Sequence, residues 1–307
     1  KIFANISVLS KFGSALAPIS NFGLRFFPFR WALDCFLKID KRRPLPPFAR
    51  RTFPSLFRSR STVFDRQIKG DVVLFNDTFM NYNYPSIGMA ATKLLERAGF
   101  QVILVERKCC GRPMISKGML DMAKANAQYN VDLLYPHVKR GAYVVGCEPS
   151  CLLTLRDEYP DLLRSTEADK VAEKSLLLEE FLHMLQQDGN LNLKFNETHK
   201  KALFHSHCHS KALVGAEPAL AALRLVPGLE VEESDAGCCG MAGAFGYEKE
   251  HYDVSMAIGG LRLFPAVSSS DEESEVVITG ISCRQQIQHG TVRKPRHLAE
   301  VLADALI

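Results

Sequence analysis

The sequence predicts an α/β protein: two similar parallel-sheet domains related by internal duplication, preceded by a basic helical arm. Three observations carry this prediction. From residue 71 onward, short apolar runs alternate with segments of helical period, the pattern of strand–helix units on parallel sheets. The order of these runs is the same in both halves. In both halves the cysteines fall just beyond predicted strand ends, where open α/β sheets gather their ligands. Each half is therefore expected to be a Rossmann-like unit. The predicted boundaries are 1–70 for the arm and linker, 71–195 for the first domain and 196–307 for the second.

The elements follow in order. Residues 1–37 read as an amphipathic helix interrupted by Pro18 and Pro28, and Cys35 within it reads as a buried thiol. Residues 41–60 are rich in Pro and Arg and read as an extended linker. Asp71–Phe75 is a short apolar run bounded by Gly70 and by Asn76-Asp77, as a buried parallel strand is. Ser86–Ala98 has helical periodicity, begins after Pro85 and stops at Gly99. Gln101–Val105 and Ala142–Val145 are further strands, separated by the loop 109–118 and the helix Met119–Val138. A helix starts at Ser150–Glu158, and 166–189 is expected to be mostly helix joining the halves. The second half has strands at Lys201–Phe204, Leu229–Glu232 and Glu275–Thr279. Its helices fall at Lys211–Leu225, Lys249–Leu263, Cys283–His289 and His297–Leu306.

Composition narrows the function. Of 307 residues, 47% are hydrophobic and 23% charged, which excludes disordered, collagenous and fibrous chains. No run of 18 apolar residues marks a membrane span. No signal peptide is visible, and a start at Lys1 reads as part of a longer chain. The net charge of +4 is uneven. Residues 1–70 hold 14 Lys/Arg against 3 Asp/Glu, a net of +11, and the remainder holds 24 against 31, a net of −7. A basic segment carrying Phe26, Phe27, Phe29 and Trp31 suits an anionic membrane surface or an acidic partner, and is open equally to being a solvated basic arm packed on a neighbouring domain. No nucleic-acid recognition motif accompanies it, so nucleic acid is not expected as a partner. No core of its own is legible in the arm, so the domains beyond residue 70 are expected to hold their sites without it.

The chemistry lies in nine cysteines. Their odd number in a large chain argues against a disulfide framework. Cys109-Cys110 and Cys238-Cys239 are adjacent pairs, each followed by glycine, which lets the backbone turn sharply around one inorganic centre. Cys208, Cys238, Cys239 and Cys283 give four thiolates from three strand ends. That set can hold a 4Fe–4S cluster or zinc, and its wide spacing favours the cluster over a structural zinc knuckle. The first half offers Cys109, Cys110, Cys147 and Cys151. Cys109 comes 31 residues after Thr78 and Cys238 30 residues after Cys208, so Thr78 stands in the place of Cys208. The first site is open between a second cluster, zinc and a relic, and Cys147 has no counterpart in the second half.

Further candidates surround the cysteines. Glu148 is open between ligation or proton acceptance and capping the next helix. His205, His207 and His209 alternate along an extended segment and are expected on one side, opposite Cys208. They are open between a metal site, a substrate- or flavin-facing pocket and a solvated strand end. Arg112 and Arg284 flank the cysteines, as does Lys117, where positive charge would raise the potential of an anionic cluster. Gly240, Gly243 and Gly246 lack the dinucleotide and phosphate-loop spacings.

The motifs KCCGRPMISKG at 108–118, GCEPSCLLTLRDEYP at 146–160, HSHCHSKAL at 205–213, GCCGMAGAFGYE at 237–248 and GISCRQQI at 280–287 resemble the duplicated cysteine-rich CCG-domain family over about residues 70–307. That family includes the cysteine-rich subunit of heterodisulfide reductase, the iron–sulfur subunits of glycolate oxidase and anaerobic glycerol-3-phosphate dehydrogenase, and a lactate utilisation protein. The resemblance implies an oxidoreductase module in which these cysteines bind 4Fe–4S clusters. Electrons would pass from FAD on a partner subunit, or on an upstream domain, toward quinone or another acceptor. It also implies an upstream ferredoxin-like domain. A cytoplasmic location is expected, with the basic arm suited to peripheral contact with the membrane face. Two alternatives stand beside it: a heterodisulfide or thiol–disulfide reductase, and a zinc-stabilised docking scaffold. The family pattern has a lone cysteine, the pair, then two cysteines separated by two residues. Here Thr78 replaces the lone cysteine of the first half, Cys147 and Cys151 are separated by three residues, and Cys283 stands alone.

Overall fold

Val72, Val73 and Leu74 have no exposed surface, as befits a strand covered by helices on both faces. They lie in β1 (Gly70–Leu74), the second strand of a sheet with β2 (Phe100–Ile103), β3 (Tyr143–Gly146) and β4 (Ser175–Leu177) in the order β2-β1-β3-β4. The second sheet contains β5 (Lys201–His205), β6 (Glu230–Glu233), β7 (Glu275–Ile278) and β8 (Arg296–His297) in the order β6-β5-β7-β8. Every pairing in both is parallel. This is a computed structural model; it describes residues 3–61 and 68–307. The predicted arm is seen except where it falls on residues 1, 2 and 62–67, outside the described residues.

The two Rossmann-like units pack reciprocally. The helix after β1, Pro85–Arg97, lies on the helix after β8, Leu298–Ala305. The helix after β4, Leu178–Gln187, lies on Glu217–Leu223, which follows β5. One apolar core runs through both contacts, with Leu94, Phe181 and Leu182 of the first half against Ala219, Leu223 and Leu302 of the second. Burial on this scale joins the halves as one body, and it brings the C-terminal ends of both sheets toward each other.

Several boundaries differ from expectation for local reasons. The first 37 residues form three helices, Ile6–Ala15, Ala17–Arg25 and Phe27–Leu37. Pro18 and Pro28 sit in the first turns of the second and third, where a missing N–H costs nothing, so the breaks fall just before them. The expected helix 211–225 is split into Cys208–Leu213 and Glu217–Leu223 around Gly215, at φ +90°. The joining segment 166–189 contains β4, which is only three residues long.

The arm is tied into the second half. Ile39 pairs with Glu248 as an antiparallel bridge, Asp40 N donates to the Tyr247 carbonyl at 2.8 Å, and Asp34 pairs with Lys249. Phe53, in a short helix Phe53–Ser59 within the predicted linker, is fully buried against Gly88. Cys35 is only half-buried, because its helix Phe27–Leu37 buries little besides Asp34.

Candidate metal centre

Strand register fixes which residues of the two halves correspond. Leu74 of β1 pairs with Val145 of β3, and Phe204 of β5 with Val277 of β7. Thr78 and Cys208 each lie four residues beyond Leu74 and Phe204, and Cys151 and Cys283 each six beyond Val145 and Val277. Ile103 pairs with Val73 and Glu232 with Leu203, and Cys109 and Cys238 each lie six residues beyond them. Thr78 therefore stands where Cys208 stands. The residue three places before each terminal cysteine is Glu148 in one half and Gly280 in the other. Cys147 corresponds to Thr279.

Helix N-termini place the first sulfur position. Thr78 and Cys208 are each the first residue of a helix, Thr78–Tyr82 and Cys208–Leu213. Asp77 caps one by accepting from the N–H groups of Phe79 at 2.8 Å and Met80 at 3.0 Å. His207 caps the other, its Nδ1 accepting from His209 N–H at 3.2 Å. The adjacent pairs turn at Gly111 and Gly240, with φ of +95° and +92°. A Cβ on Gly240 would also strike the carbonyl oxygen of Ser255, so only glycine fits there.

In the second half the four sulfurs are continuous. The free thiol of Cys208 neighbours that of Cys238, Cys238 that of Cys239, and Cys239 that of Cys283. Cys238 is pulled below the ordinary thiol value, first by Cys208 and then by Cys239; Cys283 is pulled well below it by Cys239. Cys208 and Cys239 are pushed up by holding those protons and by burial. Among the described residues no three of these sulfurs lie within 4.8 Å of one another, a spread that suits the corners of a 4Fe–4S cluster better than a single zinc ion. Cys239 and Cys283 are buried, whereas Cys238 is exposed.

The first half brings together three sulfurs. Cys110 neighbours both Cys109 and Cys151 as free thiols, and Thr78, buried, stands at the fourth position. Cys147 is not with them. It packs in the apolar core shared with Val145, Leu178 and Phe181, whereas Cys109 and Cys110 belong to the core on the other face of the sheet. The loop of the pair is held by neutral groups. Tyr159 Oη donates to the Cys110 carbonyl at 2.9 Å, and Asn126 Nδ2 donates to the Cys109 carbonyl at 3.2 Å.

The expected one-sided arrangement of histidines does not occur. Alternation holds only along a strand, and here the strand ends at His205 and a helix begins at Cys208. His205 has no exposed surface; its Nδ1 lies 3.1 Å from Ser234 Oγ and it faces Cys283. His207 is buried, with Nε2 3.4 Å from Ser150 Oγ of the first half. His209 lies beside Asp157 and Glu158. Glu148 caps its own helix through Ser150 N at 3.3 Å and also accepts from Ile281 N at 2.8 Å. Burial, then the neighbouring Asp77, pushes its carboxyl up to about 8. The two arginines are engaged, Arg112 with Glu158 and Arg284 with Glu300 at 2.7 Å. A groove of about 620 Å³ beside Lys93, Glu96 and Asp304 is lined by no cysteine.

Sequence reasoning missed Arg43, Asn130 and Tyr159, buried against the paired-cysteine loops, and Glu179, buried away from them. Nothing in the local pattern marks Arg43 or Asn130, and Tyr159, although inside the motif at 146–160, meets the Cys110 carbonyl across 49 residues of sequence.

The model of the cysteine-rich domain family CCG matches residues 73–156 and again 202–288. The chain is 33% identical to a subunit of the anaerobic glycerol-3-phosphate dehydrogenase of Escherichia coli (strain K12) over 308 residues, covering 99% of this chain and 76% of that protein. It is 27% identical to D-2-hydroxyglutarate dehydrogenase of Pantoea ananatis (strain AJ13355), covering 76% of this chain and 22% of that protein. It is 28% identical to lactate utilization protein A of Exiguobacterium sp. (strain ATCC BAA-1283 / AT1b), covering 77% of this chain and 98% of that protein.

Proposed function

The chain belongs to the CCG cysteine-rich domain family, and from that premise we propose that it is the iron–sulfur electron-transfer module of a flavin-linked dehydrogenase. The observation that carries this reading is the convergence of Cys208, Cys238, Cys239 and Cys283 beyond the C-terminal ends of three neighbouring parallel strands. A bound 4Fe–4S cluster supplies a site that takes up and releases one electron at a time. The chain's own residues do the rest. Cys239 and Cys283 anchor the centre from inside and exclude water, Gly240 lets the backbone close around it, and exposed Cys238 presents one ligand to a redox partner.

Similarity to the glycerol-3-phosphate dehydrogenase subunit over 99% of the chain supports glycerol 3-phosphate, ahead of a 2-hydroxy acid, as what the partner oxidises. The sequence carries no dinucleotide fingerprint, so the flavin belongs to that partner or to an upstream domain. The first half takes either a second, three-sulfur cluster or zinc. Free thiols throughout suit the reducing cytoplasmic side.

Among the described residues no helix is long and apolar enough to cross a membrane. The arm nevertheless exposes Phe12, Ile19, Phe22, Phe27, Trp31 and Phe36 among basic residues. We assign it peripheral contact with an anionic bilayer, close to a quinone acceptor. The central experiment is iron, sulfide and zinc analysis of the anaerobically purified chain, with electron paramagnetic resonance after dithionite reduction. Near-stoichiometric iron and sulfide with a reduced-cluster signal supports the reading; zinc alone overturns it.

A further inference from the structure

A guanidinium lies buried beneath the second sulfur site with no carboxylate on it. Arg43 is 1% exposed, and its partners are all neutral. Nε donates to the Gly246 carbonyl at 2.9 Å, Nη1 to Gln286 Oε1 at 2.7 Å and Nη2 to Ser255 Oγ at 3.1 Å. The Tyr252 ring lies 5.0 Å away. Among the described residues no ion pair involves Arg43. The nearest acid, Asp40, is occupied by Arg42, which also reaches Asp253.

These partners are the walls of the sulfur site. Gln286 lies one helical turn beyond Cys283, and its Nε2 donates at 2.8 Å to the Ser255 carbonyl. That carbonyl is the atom against which Gly240 is pressed. Gly246 closes the loop that carries Cys238 and Cys239, through its N–H to the Met241 carbonyl at 2.8 Å. Arg43, Gln286, Ser255 and the Cys239–Gly240 peptide thus form one packed layer.

A buried, uncompensated charge is costly to folding, and guanidinium does not shed its proton in proteins. A thiolate-ligated centre is anionic, and more so when reduced. A fixed positive charge behind it compensates that anion and favours the reduced form, and in a low-dielectric interior it does so strongly. The first half has no equivalent. Its paired-cysteine loop is held by Tyr159 and asparagines, and Arg107, the cation near Cys109, is only half-buried and lies on the Asn76 carbonyl beside Asp77.

We propose that Arg43 is the resident counter-charge of the second-half sulfur centre, a positioning residue that raises its reduction potential and holds the Cys238–Cys239 loop closed. This rests on the iron–sulfur reading above. It also gives the arm a role inside the redox site, across 196 residues of sequence from Cys239.

The test uses the full chain, reconstituted anaerobically with ferrous iron and sulfide, as Arg43→Met, Arg43→Lys and Gln286→Glu. Gln286→Glu keeps the shape but places a carboxylate on the guanidinium. The readouts are iron content, the midpoint potential of the second-half cluster, and the melting of the metal-free chain. Potentials that fall well outside replicate scatter in Arg43→Met and Gln286→Glu, with Arg43→Lys near the native value, support the proposal. Should Arg43→Met fail to fold, Gln286→Glu decides alone. Unchanged potentials in iron-loaded variants overturn it. Iron loss from both Arg43→Met and Gln286→Glu, with Arg43→Lys still loaded at the native potential, reduces Arg43 to a structural role and overturns the tuning. A native chain that takes up no iron fails the iron–sulfur reading instead.

Discussion

Glu148 of the first half accepts a 2.8 Å hydrogen bond from the backbone N–H of Ile281, the first residue of the corresponding helix in the second half. Its other oxygen accepts from Ser150 N–H, in the first turn of its own helix. One carboxylate therefore serves two helix N-termini, and Gly280, its counterpart in the repeat, offers no side chain to do the same. The bond ties together the two strand ends that carry Cys151 and Cys283.

Replacing Glu148 by Gln follows directly. The amide oxygen can accept one of these bonds, and its NH₂ faces the other donor and cannot accept. A buried N–H left unpaired costs about 1–3 kcal/mol. Above about pH 8, where the Glu148 carboxyl is ionised, Glu148→Gln should lower unfolding stability by that amount in denaturant titration of the metal-free chain, and Glu148→Ala by more. A loss smaller than the error of the titration would show that water replaces the carboxylate.

The repeat also predicts a coupled pair. The ring of His207 occupies the space that any side chain on Gly280 would need. Gly280→Ala must push that ring out of the cap it makes with His209 N–H. The single variant should lose about 1–3 kcal/mol, and Gly280→Ala with His207→Ala should lose less than the two singles summed. A coupling of about 0.5–3 kcal/mol is expected for residues in contact. Strict additivity in the double-mutant cycle would place the two side chains apart.

Glu179 gives a pH signature away from the cysteine loops. It is buried, neither carboxyl oxygen has a hydrogen-bond partner among the described residues, and burial pushes its carboxyl up to about 8 from 4.5. Between those values the folded chain keeps the proton and the unfolded chain has lost it. The stability associated with the protonated form is present below about pH 4.5 and is lost as pH rises toward 8. The native melting temperature should therefore fall across about pH 5–8 more steeply than that of Glu179→Gln. Parallel curves would mean that Glu179 is ionised in the folded chain.

The strands and the two-fold repeat are readable in the sequence because apolar runs and cysteine spacings are local signals, and the equivalence of Thr78 and Cys208 follows from counting alone. What the sequence hides shares a cause. β4 escapes because three residues of strand inside a helical stretch leave no period to detect. The histidines are misplaced because Cys208 starts a helix, which ends the alternation. Cys147 looks like a ligand by proximity, yet it faces the opposite side of the sheet from Cys109 and Cys110. Arg43 and Phe53 are hidden because their partners lie in other parts of the chain.

The separation of Cys147 from its neighbours makes a metal-content prediction. Cys151→Ser removes one of three contiguous sulfurs and should sharply lower the metal bound by the first half. Cys147→Ser should leave metal content unchanged and act on stability alone, since it places a polar hydroxyl in an apolar core. Thr78→Cys should add the fourth sulfur and raise iron uptake. Equal metal loss from Cys147→Ser and Cys151→Ser would return Cys147 to the ligand set.

The last prediction divides the arm. Its residues through Leu37 carry the exposed apolar side chains and touch the domains at points such as Ala4 against Met114 and Asp34 on Lys249, whereas residues 39–53 reach the two sulfur-bearing halves more deeply. Ile39 pairs with Glu248, Arg43 supports the Cys239 loop, and Phe53 is fully buried against Gly88. The two parts should therefore fail differently. A chain beginning at Lys38 should keep its iron and its spectrum but lose binding to vesicles containing phosphatidylglycerol. Each basic residue near an anionic surface contributes about 1 kcal/mol, and raised salt should weaken the intact chain in the same way. A chain beginning at Lys69 should do worse. It lacks Arg43, and it lacks Phe53, whose truncation to alanine alone is expected to cost about 3–5 kcal/mol. Its melting temperature and iron retention should both drop below those of the Lys38 chain. If the two shortened chains hold iron equally, the contacts of residues 39–53 contribute nothing to the sulfur site. If the Lys38 chain still binds anionic vesicles as the intact chain does, the exposed aromatic face is not the membrane contact.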